Sequence, residues 1–161
     1  MKSFKDNQGQ LWHLNLSLGK TRQLRDKLGL DLLNPEHYGR LVGSLTEQMA
    51  FCFLLVEPQA QELGIDVDAF EERLYGDGIA NSAGIALLEE CEVFFQKLGQ
   101  KTQAALAKKS TELVKASIAN MDQMLASGQL DSLMAKAEED VRKKLQASGG
   151  SGLPSSLPSP A

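Results

Sequence analysis

The chain has 161 residues, 42% of them hydrophobic, 6% aromatic and 24% charged, with a formal net charge of -4. That length can bury a core without help from metal or disulfides, and the acidic balance argues against a general nucleic-acid binder. The charge is uneven: residues 1–99 are net acidic and residues 100–161 mildly basic, so the two stretches would attract each other or meet different partners.

The first residues read as a β-hairpin. Ser3 to Lys5 and Gln10 to Leu18 are the predicted strands, because Trp12, Leu14, Leu16 and Leu18 alternate with His13, Asn15 and Ser17. Asp6-Asn7-Gln8-Gly9 between them supplies residues that tolerate a left-handed backbone. A two-stranded ribbon is marginal alone, so it must lie on helices or pair with a second copy.

From Lys20 the pattern turns helical. Lys20 to Leu28 forms a short helix closed by Gly29. Asn34-Pro35 gives an N-cap and a first-position proline, opening a turn or two through Tyr38 to Val42. Ser44-Leu45-Thr46-Glu47 is a capping box ahead of the apolar helix Met49 to Val56. Pro58 is expected to kink or restart that helix, and Gly64 to end it. Asp66 caps Val67 to Tyr75, Gly76-Asp77-Gly78 breaks the chain again, and Ile79 to Leu98 follows as a long helix. On it Ala83, Leu87, Cys91, Phe94 and Leu98 share one face, with Leu88 and Phe95 beside it.

After Gly99 the texture changes. Val114, Ile118, Met121 and Leu125 form a narrow apolar stripe on a polar helix. Ser127-Gly128 breaks it, and Leu130, Met134, Ala137, Val141 and Leu145 form a second stripe. Such stripes fold back as a hairpin or await a partner helix. The expected fold class is therefore mainly α: a multi-helix domain with an N-terminal β-hairpin and a C-terminal helical appendage. The expected divisions are a body over 1–98, amphipathic helices over 99–147 and a disordered Ser/Gly/Pro tail over 148–161.

Motifs that would carry chemistry are incomplete. Gly19-Lys20-Thr21 sits at a strand-to-helix junction, but a phosphate loop needs a glycine where Leu14 stands. Gly76-Asp77-Gly78 follows a helix and lacks the third glycine of a dinucleotide fingerprint. Asp66-Val67-Asp68 lacks the turn glycine and distal glutamate of a calcium loop. His13, His37, Cys52 and Cys91 show no ligand spacing, so no metal or other cofactor is assigned. Glu71, Glu72, Glu89, Glu90 and Glu92 read as solvated helix faces. Lys20, Arg22, Arg25 and Lys27 would be the best anion site, but Asp26 and Asp31 dilute them into a salt-bridged surface. Trp12 and Phe94-Phe95 are core, or an interface if exposed. The run Met49 to Val56 is too short to cross a bilayer, and no apolar signal core follows Met1, so a cytosolic location is expected.

Four blocks, in order, carry a family likeness: Phe4-Lys5-Asp6-Asn7-Gln8-Gly9-Gln10-Leu11-Trp12; Leu28-Gly29-Leu30-Asp31-Leu32-Leu33; Phe70 with Leu74-Tyr75-Gly76-Asp77-Gly78-Ile79; and Ala86-Leu87-Leu88-Glu89-Glu90 leading to Phe94-Phe95. Over residues 1–98 the chain resembles small tail-assembly proteins of long-tailed bacteriophages and prophages, of the tail assembly chaperone type. The resemblance implies a non-enzymatic protein of the host cytoplasm that shields the apolar helices of a tape-measure protein until tail-tube subunits wrap it. It brings no catalytic residues, and implies no nucleic acid or membrane as partner. Self-association or contact with the tail-tube protein stays open. The candidate contact residues are Val114, Ile118, Met121, Leu125, Leu130, Met134, Val141 and Leu145, together with any exposed part of Met49 to Val56. The alternative is a structural tail-completion or head–tail joining protein whose hairpins pair edge to edge in a ring.

Overall fold

The computed structural model describes residues 1–149. Among them are a two-stranded antiparallel sheet and seven helices, so the protein is mainly α with an N-terminal hairpin. Met1–Ala116 form one compact unit, and a second begins at Ser117. The predicted tail lies outside the described residues from 150 onward.

Strands β1 (Lys2–Lys5) and β2 (Leu11–Leu14) pair with Phe4 opposite Trp12 and Lys5 opposite Leu11. Asp6 builds the turn. Its Oδ1 accepts the N–H groups of Gln8 and Gln10, both at 2.9 Å, and its Oδ2 accepts the Trp12 indole N–H at 3.0 Å. Gly9 takes the left-handed backbone, φ +80°, that closes it. β2 stops at Leu14, short of the predicted Leu18. Burial still alternates as far as Leu16, but the Ser17 hydroxyl accepts the Lys20 N–H and starts a helix there. Leu18 is thus the first residue of helix α1 (Leu18–Leu28) and is exposed.

Gly29 caps α1 with φ +65°, and Asn34 caps α2 (Pro35–Gly43), both as the sequence predicts. Helix α3 runs unbroken over Leu45–Glu62, starting earlier than Met49 and passing through Pro58 without restarting. The chain bends by 104° between α2 and α3. The capping box is half formed: Ser44 Oγ accepts the Glu47 N–H, while the Glu47 carboxylate reaches Arg40 at 2.9 Å. Asp66 caps α4 (Val67–Arg73), and α5 spans Ile79–Lys97. No single described helix is long and apolar enough to cross a membrane.

The hairpin lies on α3 and α5, which also pack on each other. Phe70 of α4 is the aromatic centre of this core, meeting Trp12 edge-on at 5.2 Å, Phe53 at 5.3 Å and Phe4 at 6.4 Å. Trp12 and Phe94-Phe95 are therefore core. Helices α3 and α5 approach closely at Gly84, where a Cβ would overlap the buried Gln48 side-chain carbonyl. Gln48 in turn donates to the carbonyls of Leu41 and Val42 at 2.9 and 3.0 Å, holding the sharp bend after α2.

The change of sequence texture at Leu98 is not where packing ends. Helix α6 (Lys101–Ala126) buries Ala104, Ala107 and Thr111 and rests Val114 on the core, so the compact unit runs on to Ala116. Helix α7 (Gln129–Ser148) follows Gly128, whose φ of +70° makes the break predicted at Ser127-Gly128.

Candidate partner-binding surface

Several of the side chains that the sequence singles out for chemistry are bound into the fold. Lys20 is the clearest case. Proline cannot donate to the carbonyl four residues before it, so Pro58 strips the Leu54 carbonyl of its helical partner. The Lys20 ammonium fills that gap, donating to the Leu54 oxygen at 2.8 Å. The lysine that suggested a phosphate site mends a helix instead. Arg25 pairs with Asp26 at 3.4 Å and Lys27 with Glu57 at 3.5 Å, so the basic cluster is divided among neighbouring acids.

The three carboxylates of α5 are likewise bonded. Glu90, 3% exposed, accepts the Lys2 N–H at 2.8 Å on Oε2 and the Leu16 N–H at 3.3 Å on Oε1. One buried side chain thereby fastens both outer ends of the hairpin to α5. Glu89 pairs with Lys2 at 3.3 Å and with Lys115 of α6; the Lys115 hydrogen bond holds its carboxyl below the usual range. Glu92 accepts from Gln96. Asp66 is a cap, and Asp77 sits at φ +48° within the sharp reversal of Gly76-Asp77-Gly78.

Neither histidine meets a cysteine in a ligand set, and the described residues contain no group of three metal-ligating side chains. His37 Nδ1 accepts the Asp31 N–H at 2.9 Å, while His13 faces solvent. Cys52 and Cys91 are free thiols in the core, and burial pushes both well above the usual thiol range. Buried thiols held protonated are poor nucleophiles and poor ligands.

Outward the molecule also presents large apolar side chains. Among the predicted contact residues, Met121, Leu125, Met134, Val141 and Leu145 are 56–66% exposed. Ile118 and Leu130 are half-buried, and Val114 is absorbed into the packing of the body. On α6, residues 104, 107, 111, 114, 118, 121 and 125 lie on one face by their three- and four-residue spacing. Its first part is buried and its last part open, so one continuous stripe is covered for only half its length. Helix α7 has no buried residue, and only Leu130 along it is even half-covered. Leu133, 52% exposed and three residues beyond Leu130, adds to its open face.

A second apolar surface lies on α3. No residue of the Met49–Val56 run is fully exposed, and Phe53 packs against Phe70, but Leu45 is open and Met49 half-buried. Beside them Leu74, Tyr75 and Ala80 complete an open groove of about 470 Å³ whose one titratable carboxylate is Glu71. Its polar side chains are Thr46, Glu71 and Tyr75. Tyr75, 83% exposed, was hidden from sequence reasoning because it looks like the last residue of a buried helix.

Comparison with protein-family models, curated proteins and solved structures found no match.

Proposed function

We propose that this chain is a non-enzymatic assembly factor of the phage tail assembly chaperone type, covering apolar helices of a tape-measure protein in the host cytoplasm. The observation that carries this reading is the uncovered stripe of α6 and α7, five of whose residues are more than half exposed. Isolated helices are held mainly by packing of an apolar face, so a 20-residue helix without a buried side chain is suited to gaining that packing from another molecule. A long helical partner offers a matching face, and the narrow stripe gives a modest interface that can be released.

A ring built from hairpin edges is the less favoured reading. Gln59 occupies the outer edge of β2, its Oε1 accepting the His13 N–H at 3.2 Å and its Nε2 donating to the Leu11 carbonyl at 2.6 Å. A strand edge already bonded by a side chain is a poor template for another strand.

Co-expression with a tape-measure protein from the same phage tail operon tests the proposal. Raised solubility and co-purification are expected, and Met134→Asp/Val141→Asp should abolish both while leaving the body folded. Unchanged solubility with no co-purification would refute it, as would stoichiometric presence of the chain in finished tails.

A further inference from the structure

The outer face of α6 carries two leucines that the core does not use. Leu106 and Leu113 are 45% and 61% exposed, on the side of the helix turned away from the buried Ala104, Ala107 and Thr111. They stand seven residues apart, about 10 Å along the helix, and Lys109 lies between them on the same side. Its ammonium has no ion pair or side-chain hydrogen bond among the described residues. Lys115, by contrast, is spent on Glu89. Glu112, the one acid on this stretch of α6, is set about 100° round the helix from Leu113.

The groove beside α3 has the reciprocal layout. It continues into a second well, so that two adjoining wells of about 470 and 220 Å³ open to solvent. Helix α3 floors the first with Leu45, Thr46 and Met49 and the second from Ala50 to Glu57. Their centres are therefore about 10 Å apart along that helix. Glu71 of α4 lines both wells and stands where they meet. Its carboxylate is exposed and has no partner among the described residues. Helix α4 also carries Asp68 and Glu72, while its one base, Arg73, lies 3.5 Å from Asp6. Lys27, at the second well, is already paired with Glu57 at 3.5 Å.

We propose that the Leu106–Leu113 ridge of α6 docks in the α3–α4 groove of a second copy of this chain, one leucine in each well and Lys109 against Glu71. Spacing and charge agree: two apolar anchors about 10 Å apart answer two wells about 10 Å apart, and the unpaired base falls at the unpaired acid. The contact cannot form within one chain, because α6 rests its opposite face on the body's core and turns the ridge outward. Each copy has one ridge and one groove, so the contact either closes reciprocally in a dimer or repeats head to tail. It draws on no residue of α7 and goes beyond the proposed function. Under that function it would array two or more α7 stripes along one long helical partner.

The test uses the full chain. Sedimentation over a wide concentration range should show self-association that weakens as salt is added. Leu113→Asp places a charge in a well and should abolish it. Because Leu113 is largely exposed, the circular dichroism of that variant should be unchanged. Lys109→Glu and Glu71→Lys should each lower the association constant by roughly tenfold or more. An equimolar mixture of the two should recover it, because every ridge then meets a groove of opposite charge. Met134→Asp on α7 should leave self-association as it is. A chain monomeric at every concentration, association unmoved by Leu113→Asp, a mixture no stronger than its components, or loss of association in Met134→Asp overturns the inference. A strict monomer that still solubilises the tape-measure protein removes this contact and leaves the function standing. Charge reversal and rescue with no effect on that protein does the opposite.

Discussion

Lys20→Met removes the ammonium that bonds the Leu54 carbonyl at 2.8 Å, across from the proline that cannot supply a helical N–H. A hydrogen bond from a charged donor contributes about 1.5–3 kcal/mol. Lys20 is only half-buried and gives up side-chain freedom to hold this geometry. The cost of the substitution should therefore lie at the low end, about 1.5 kcal/mol. Pro58→Ala restores a backbone donor to the same carbonyl, so in that background Lys20→Met should cost less than about 0.5 kcal/mol. The coupling in the double-mutant cycle is then about 1 kcal/mol, well above the usual error for independent sites. Trp12 is the single tryptophan and is fully buried against Phe70, so urea unfolding followed by its fluorescence reports directly on the core. Equal costs in the two backgrounds would refute the compensation. A nucleotide that raised the melting temperature of the parent chain but not of Lys20→Met would return this lysine to a ligand-binding role.

Gly84→Ala should destabilise by about 1–2 kcal/mol, even though alanine is favoured over glycine in a helix by up to about 1 kcal/mol, because the new methyl must displace Gln48 from two carbonyls. A neutral or stabilising result in thermal melts would mean that α3 and α5 are less closely packed than described. Glu89→Gln should flatten the acid side of the stability–pH curve. The carboxyl is held below the usual range in the folded chain, chiefly by the Lys115 hydrogen bond, so its contribution is complete above the ordinary carboxylate value. It is lost as pH falls through the lowered folded value. At about 0.5–1 kcal/mol for a partly exposed pair, the effect is small and should shrink in Lys115→Met, where the Lys2 pair remains; an unchanged curve in either variant would contradict the pairing.

The hairpin turn and the end of α4 are joined to one another. Asn7 of the hairpin turn takes the end of α4: its backbone N–H donates to the Arg73 carbonyl at 2.9 Å, and its side-chain amide reaches the Glu72 and Tyr75 carbonyls. Arg73 lies 3.5 Å from the Asp6 carboxylate, which also holds Trp12. Two stretches separated by more than sixty residues thus form one joint. Their residue types look like ordinary turn and helix-end signals when read locally, which is why their shared role could not be seen in either block alone.

Caps, breaks and helix faces were legible in the chain itself. Ser17 aside, the caps Asn34, Ser44 and Asp66 and the left-handed glycines at 29 and 128 act through neighbours a few residues away. So does the stripe of α5, set by helical spacing alone. Only the tertiary structure decided the fates of Lys20, Glu90 and Gln59, because each is spent on a backbone group far from it in sequence. It also decided that the stripe of α6 is covered through Val114 and open at Met121 and Leu125. Periodicity fixes which face of a helix is apolar, while burial depends on whether another element arrives to meet it.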